Sequence, residues 1–281
     1  MPPNESCAYF PKQVTQYAAI SRERHGERRW RRSASYRFAA QDAVAPIVGA
    51  EFAKAALAFP LAFLADESSF LPVAVLALEA RTNLFVAPDG RWLGGYVPSA
   101  FRGHPFRLLP SAAGALVFCI EEESGLAAEG EEGELFFDAK GAIAEPTQRV
   151  LDFLSAVEKD RHATSRACAA LTAAGVIRPW EITLRDATAP RTLQGLHRID
   201  EAALNALPAE RFEVLRQAGA LPIAYCQMLS MQHLPMLGKL AEAHAARRQY
   251  DEKLAQAAFA LPGSDEPVID WNAFSRDAEK E

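Results

Sequence analysis

Short motifs that carry a known chemistry are missing from this 281-residue sequence. It contains no GxGxxG loop, P-loop, HExxH motif, EF-hand loop or GxSxG elbow. The histidines show no metal-ligand pair at helical spacing, and the four cysteines (Cys7, Cys119, Cys168 and Cys226) form no CxxC pair. We therefore expect no cofactor and no metal site, although a metal site assembled from distant segments stays open. The absence of a catalytic motif favours a protein that is not an enzyme.

Scattered cysteines also exclude a disulfide scaffold, and a reducing cytosol is the simplest environment for them. The first ten residues, MPPNESCAYF, lack the basic and apolar regions of a secretory signal. The most apolar segment, residues 43–65, carries Glu51, Lys54 and internal prolines, which are costly in a bilayer. The sequence thus predicts a soluble cytoplasmic protein without a membrane span.

Positive charge is in short supply, since the net charge is -6 and the isoelectric point is about 5.6. A general nucleic-acid binder would show a basic surplus, so we expect no nucleic-acid partner. The charges are nevertheless unevenly distributed: residues 21–32 hold six arginines, and residues 121–134 are almost wholly acidic. The arginine run could bind phosphate or a partner, or it could pair with acidic surface of the same chain or stay mobile.

Hydrophobic periodicity predicts an α+β fold, with an antiparallel β-meander in the first half and a long helix and C-terminal helical block packed on it. A short helix ending at Pro60 is followed by strands in 71–80, 83–98, 114–122 and 133–141. A long helix begins at Glu145 and ends at Gly175, and a hairpin joins EITLRD to RTLQGLHRID. Three helices close the chain, the last kinked near Pro235.

Three regions follow from these patterns. Residues 1–35 form a polar, arginine-rich segment that we expect to be mobile, residues 36–248 form a single α+β domain, and residues 249–281 form a C-terminal tail. No internal repeat or low-complexity segment interrupts the domain.

The run YVPSAFRGHPFRLLP, residues 96–110, combines three prolines and a glycine with arginines, a histidine and aromatics. Proline removes backbone donors and glycine permits unusual dihedral angles, so the run is not a long central strand or a regular helix. We interpret it first as a corner of the scaffold, with Tyr96, Phe101 and Phe106 anchored in the core. The second interpretation is a recognition site for a peptide or an anionic ligand, in which Arg102, His104 and Arg107 face a cleft or solvent.

Six residues are the candidates for ligand or partner binding: Tyr96, Arg102, His104, Phe106, His197 and Gln227. His197 lies on a predicted strand, where a hydrogen-bonded histidine on a sheet face is the alternative to a pocket residue. Gln227 lies on an apolar helix, where it could bind neighbouring backbone or face water. Catalytic residues remain unassigned.

Five stretches, which follow one another along roughly residues 35–240, carry a resemblance to a known family: SYRFAAQDAVAPIVGAEFAKAALAFPLAF, PVAVLALEARTNLFVAPDGRWLGGYVPSAFRGHPF, GELFFDAKG, GVIRPWEI and GLHRIDEAALNALPAERFEVLRQAGALPIAYCQMLSM. Taken in this order, they resemble the SapC family, bacterial proteins named for S-layer protein secretion. The resemblance implies a role linked to export or uptake of surface-associated proteins, but no established reaction. The sequence departs from the family pattern at His104, where an aromatic is common, and at His197, where tyrosine is usual, which argues against either being a family catalyst.

Two functions follow as expectations. The first is a non-catalytic binding or adaptor protein that assists export or uptake of a surface-associated protein or peptide. The alternative is an enzyme, or an obligate partner of one, that modifies a peptide or small metabolite in a pocket between the sheet and the C-terminal helices. A protein or peptide partner fits the first, and a small-molecule ligand fits the second.

Overall fold

A computed structural model describes residues 16–66, 69–185 and 190–259. The chain separates into two compact units, Met1–Leu240 and Ala241–Glu281. The helices are α1 (Arg22–His25), α2 (Phe52–Ala55), α3 (Ser99–Arg102), α4 (Glu145–Ala174), α5 (Glu201–Asn205), α6 (Ala209–Gln217), α7 (Ala220–Ser230) and α8 (Leu234–Phe259). The strands are β1 (Tyr17–Ala19), β2 (Arg29–Trp30), β3 (Val44–Pro46), β4 (Leu61–Asp66), β5 (Ser69–Val75), β6 (Phe106–Pro110), β7 (Leu116–Glu121), β8 (Ala127–Ala128), β9 (Glu134–Leu135), β10 (Ile177–Pro179), β11 (Ile182–Arg185), β12 (Pro190–Leu193) and β13 (Leu196–Ile199).

The fold class is α+β, as predicted, with antiparallel sheets, the long helix α4 and a C-terminal helical block. The largest sheet has the order β10-β13-β4-β5-β3, and all its described pairings are antiparallel. Strands β4 and β5 read as apolar runs because both faces of this sheet are covered, and their residues form the centre of the main core.

Two of these strands, β10 and β13, come from the second half of the chain, which the sequence did not predict. RTLQGLHRID is not one strand of a hairpin: β12 pairs with β11, the chain breaks near Gly195, and β13 pairs with β4 and β10. Gly195 has a φ of 92°, a left-handed value that favours glycine and ends the first strand there. The connection predicted at 186–189 lies outside the described residues.

The predicted strands in 83–98 are also wrong, because only a single bridge joins Val86 to Trp92 across the turn at Gly90. The side chains of this segment turn inward instead of extending a ladder. Phe85 and Trp92 stack with centroids 5.7 Å apart, and both pack near Phe59. Burial of these aromatic rings outweighs further strand pairing.

Helix α4 begins and ends where the sequence predicts, with Pro146 in the first turn and Gly175 as the left-handed cap at φ 71°. Its buried stripe, including Cys168 and Leu171, packs on the large sheet. The N-terminal half of α4 instead faces β6 and β9. One helix therefore spans the large sheet and a smaller one.

The first two strands of the described chain, β1 and β2, belong to two smaller sheets. The order β1-β7-β6 makes one three-stranded sheet, and β8-β2-β9 makes another. Trp30 on β2 is 1% exposed, and its indole N–H donates to Thr147 Oγ1 of α4 at 2.8 Å. Residues 16–35 belong to the segment for which the sequence predicts mobility, yet they form β1, α1 and β2; residues 1–15 lie outside the described part.

The arginine run pairs with acidic residues of the same chain. Arg24 and Arg28 both bind the Glu122 carboxylate, and Arg28 Nη1 lies 2.9 Å from Glu122 Oε1. Arg31 Nη1 lies 3.4 Å from Glu132 Oε2. Of the two interpretations of this run, the geometry gives intramolecular pairing. The Arg31 pair is exposed and the Glu122 carboxylate is half-buried, so each pair contributes on the order of 1 kcal/mol.

The C-terminal block contains α5, α6, α7 and α8. A short 3-10 turn at Met231–His233 separates α7 from α8, just before the kink predicted at Pro235. Part of the predicted tail, residues 249–259, continues α8, and residues 260–281 lie outside the described chain. No helix in the described ranges is both long and apolar enough to cross a bilayer, and the apolar segment 43–65 forms β3, α2 and β4.

Candidate functional site

The segment 96–110 is part corner and part strand. Residues Ser99–Arg102 make one helical turn, a cis peptide joins His104 to Pro105, and β6 follows directly. The corner interpretation holds up to Pro105, but residues 106–110 pair with β7 at the edge of the small sheet. Pro110 is tolerated there because its missing N–H would point away from β7.

A buried carboxylate holds the corner in place. Glu51 is 4% exposed, and its Oε1 accepts hydrogen bonds from Tyr96 Oη at 2.7 Å and from the Ser99 N–H at 2.6 Å. Its Oε2 accepts from Ser99 Oγ at 2.5 Å and from the Val48 N–H at 3.2 Å. Four donors thus compensate for the burial of one charge.

Arg102 completes this cluster from the solvent side. Its guanidinium lies 3.5 Å from Glu51 Oε1, donates to Tyr96 Oη at 3.1 Å and stacks over the Phe153 ring at 5.0 Å. Burial, with the hydrogen bond to Glu51, raises the pKa of Tyr96 above its ordinary value. Tyr96 and Arg102 are therefore neighbours, as candidates from the same segment should be, but their partner Glu51 was not predicted.

His104 lies on the opposite side of the corner and does not face solvent, contrary to the second interpretation. Its ring stacks on Phe38 with centroids 3.8 Å apart, and Nδ1 lies 3.5 Å from Glu121 Oε2. Burial first, and then the positive charge of Arg107, lower the pKa of His104 to about 4. At neutral pH the imidazole is uncharged.

Arg107 is the centre of a second group of ionisable residues. Its guanidinium lies over the Tyr17 ring at 5.5 Å, and Tyr17 Oη donates to Glu121 Oε2 at 3.4 Å. Burial raises the pKa of Asp42 to about 6, and it also raises the pKa of Glu121; in both cases the charge of Arg107 opposes the effect. Within the described residues, no carboxylate lies within ion-pair distance of Arg107, and no cluster of His, Cys, Asp and Glu could hold a metal.

A cavity of about 320 Å³ is bordered by Ser99 of the first group and by Asp42 and Arg107 of the second. Its walls come from β3, the α3 turn, β6 and one face of α4. The apolar part of the lining includes Val44, Phe101, Phe106, Leu154 and Val157, and the charged part consists of Asp42, Arg107, Glu158 and Arg161.

Two candidates lie elsewhere. His197 is on β13 beside Phe70, with ring centroids 4.9 Å apart, and burial lowers its pKa although backbone groups of Gly195 and Phe63 oppose this. Gln227 is fully buried on α7, where Nε2 donates to Leu61 O at 3.0 Å and Oε1 accepts from the Ile199 N–H at 2.9 Å. Gln227 thus binds neighbouring backbone, the structural alternative, and neither residue lines the cavity.

The candidates missed from the sequence are Asp42 and Glu51. Each is an acid next to or inside the apolar segment 43–65, where an unpaired charge would be expensive. That position was the available signal, because a lone acid in an apolar run must find donors once it is buried. The partners themselves could not be found this way.

Comparisons with known proteins give one result. The family model described as SapC matches residues 20–237 of the chain, a range that includes every residue of both ionisable groups except Tyr17. The search of curated proteins gave no match, and neither did the search of solved structures.

Proposed function

The chain belongs to the SapC family, and on that premise we propose that it is a non-catalytic binding or adaptor protein. It assists the export or uptake of a surface-associated protein or peptide by holding a short polypeptide segment in the cavity beside β6. Its proposed location is the cytoplasm, which is consistent with the free thiols of Cys119, Cys168 and Cys226.

The observation that carries this proposal is the composition of the cavity wall. Apolar side chains of β3, β6 and α4 offer a place for an apolar side chain of a ligand. Arg107 adds a guanidinium without a carboxylate partner among the described residues, whereas the Arg161 guanidinium lies 2.9 Å from Glu158. An apolar residue next to a carboxylate, both common in polypeptides, complements these two features.

Binding is favoured over catalysis because the obvious reactive groups are already engaged. The Ser99 hydroxyl in the cavity wall donates to Glu51, whose two oxygens accept four hydrogen bonds in total. A carboxylate held in this way stabilises the corner, and its oxygens are occupied by donors of the protein itself. His104 is stacked against Phe38 and does not hydrogen-bond to a hydroxyl or thiol among the described residues.

A displayed library of random peptides tests the proposal with the full chain as bait. Val157→Phe fills the cavity from α4, and Val214→Phe places the same larger ring on exposed α6 as the matched control. Enriched peptides should bind the wild type and Val214→Phe equally. They should bind Val157→Phe about tenfold or more weakly, which corresponds to at least 1.4 kcal/mol.

Either of two results would contradict the proposal. The library could yield no peptide that the wild type enriches, or the enriched peptides could bind Val157→Phe as tightly as the control. Arg107→Met gives a second measurement, because peptides with an acidic residue should lose affinity and neutral ones should not.

A second function, an enzyme or enzyme partner that modifies a peptide or small metabolite, is favoured by one observation. Asp42, His104, Glu121 and Tyr17 surround Arg107, and all four have shifted pKa values. Of this group, Asp42 and Arg107 line the cavity. Such clusters are common at catalytic sites.

Mass spectrometry of an enriched peptide after incubation with the chain distinguishes the two functions. A mass change that disappears with Asp42→Asn would favour the enzyme. An unchanged peptide mass over prolonged incubation, with binding retained, would favour the binding protein.

A further inference from the structure

Strand β6 has an unused hydrogen-bonding edge that borders the cavity. Its pairing with β7 uses odd-numbered residues, because the Glu121 N–H donates to Pro105 O at 2.9 Å and the Ser111 N–H donates to Ala115 O at 2.8 Å in the same register. Backbone groups of the even-numbered residues therefore point away from β7. Phe106 uses its N–H for a bond to Gly103 O at 2.8 Å, so the first free donor is Leu108.

Strand β3 presents a similar edge to the same cavity. Its bonds to β5 come from Ala43, whose carbonyl accepts from the Leu76 N–H at 2.8 Å, and from Ile47, whose N–H donates to Pro72 O at 3.1 Å. The N–H and carbonyl of Val44 therefore face away from β5. Both β3 and β6 are terminal strands of their sheets.

These outward groups lack partners in the part of the chain that the structure describes. No hydrogen bond there joins the outer edge at Val44 or Leu108 to another segment, although Val44 is only 1% exposed. A buried backbone donor and acceptor almost always find a partner, whether from protein, water or a ligand. The buried outward groups of Val44 therefore point to an occupant of the cavity, and the half-buried Leu108 offers further backbone groups at the same cavity.

The lining of the cavity shows which part of β6 faces it. Four successive residues, Phe106 to Leu109, border the space. Neighbouring side chains of a strand point to opposite faces, so a surface that contains all four is the strand's edge and not one of its faces. An edge is recognised by backbone hydrogen bonds, which another extended chain can supply.

We propose that an extended segment of the polypeptide partner adds as a strand to the outer edge of β6, inside the cavity between β6 and β3. The Leu108 N–H and carbonyl bind the backbone of this segment, and the outward groups of Val44 lie on its other side. An apolar side chain packs against Leu154 and Val157, and an acidic residue reaches Arg107. This rests on the proposed function, and it adds the conformation and the chemistry of the bound segment.

Backbone methylation of an enriched peptide tests the strand directly. A set of analogues, each with one N-methylated amide, is titrated against the full chain by fluorescence anisotropy. An added strand directs alternate amides to β6, so methylation should weaken binding about tenfold or more at every second position and little in between.

The protein side has a matched pair of variants. Leu108→Pro removes the free N–H, and Leu108→Ala keeps it while shortening the side chain. An edge position whose N–H is unbonded tolerates proline, so Leu108→Pro should fold and should bind the peptide about tenfold more weakly than Leu108→Ala. Hydrogen exchange on the wild type supplies a measurement independent of any variant, because the peptide should protect the Leu108 amide.

The outcomes separate this inference from the function on which it rests. If no library peptide binds, the proposed function itself fails. If peptides bind and respond to Val157→Phe, but methylation shows no alternation and the Leu108 amide gains no protection, peptide binding stands and strand addition is overturned.

Discussion

Glu51→Gln tests whether the buried Glu51 carboxylate holds in place the corner, residues 96–105, that precedes β6. The amide has a single acceptor oxygen, yet two backbone N–H groups, those of Val48 and Ser99, donate to different carboxylate oxygens in the wild type. In either orientation of the amide one of these donors loses its acceptor, which costs about 1–3 kcal/mol. The remaining bonds also lose the strengthening that a charged acceptor gives them, and the smaller desolvation cost of a neutral side chain offsets part of this.

The expected net loss in the free energy of unfolding is about 2–4 kcal/mol. Urea titrations followed by far-ultraviolet circular dichroism measure it at neutral pH. Tyr96→Phe removes one donor from the same carboxylate and should cost about 1–3 kcal/mol. Glu79→Gln makes the same chemical change at an exposed position and should alter stability by less than about 0.5 kcal/mol.

A loss for Glu51→Gln no larger than that for Glu79→Gln would refute this reasoning, because it would mean that the carboxylate and its donors contribute nothing beyond an amide. Full stability of Tyr96→Phe together with a large loss for Glu51→Gln would place the stabilisation in the bonds from Val48 and Ser99.

Three further changes have defined outcomes. Gln227→Leu leaves backbone groups of β4 and β13 without partners and should lower the free energy of unfolding by about 2–4 kcal/mol in urea titrations. Gln217→Leu, at an exposed position of α6, should change it by less than about 0.5 kcal/mol. Similar losses for the two variants would contradict the role of Gln227 as a bridge between β4 and β13. Glu122→Gln removes the carboxylate that Arg24 and Arg28 share, and it should lower the free energy of unfolding by less than about 1 kcal/mol at low salt. This loss should shrink in 1 M NaCl, and a loss that persisted there would contradict a salt-screened ion pair. The pKa of His104 is lowered in the folded state, so the unfolded chain binds a proton that the folded chain does not between pH 6.5 and about 4, and stability falls as the pH falls through this range. His104→Gln should flatten that fall in unfolding measurements across these pH values, and an unchanged slope would refute a neutral buried imidazole.

Local signals predicted the elements whose limits depend on nearby residues. Helix α4 starts with Glu145 and Pro146 and ends at Gly175, because a proline in the first turn and a left-handed glycine cap act within one turn of the helix. The α+β class follows from the same kind of short-range periodicity. In contrast, the strand predicted after Gly90 failed because the packing of Trp92 on Phe59, which is distant in the chain, replaced ladder pairing.

The site shows the same division between local and distant effects. The sequence marked residues 96–110 as an unusual segment, since three prolines and a glycine restrict and release the backbone locally. It did not show that Glu51, 45 residues before Tyr96, supplies the carboxylate that holds this segment. A charged residue in an apolar run must find hydrogen-bond donors once it is buried, but the sequence does not show which residues supply them.

By itself, then, the sequence determined the class of fold, the long helix with its caps, and the position of the corner, all of which depend on interactions between near neighbours. Only the tertiary structure decided that β13 inserts beside β4, that Asp42 and Arg107 meet at one cavity, and that the outer edges of β3 and β6 face it. These arrangements depend on pairings between segments far apart in the chain. Such pairings are selected by the order of the strands and by burial over the whole core, so no local sequence pattern predicts them.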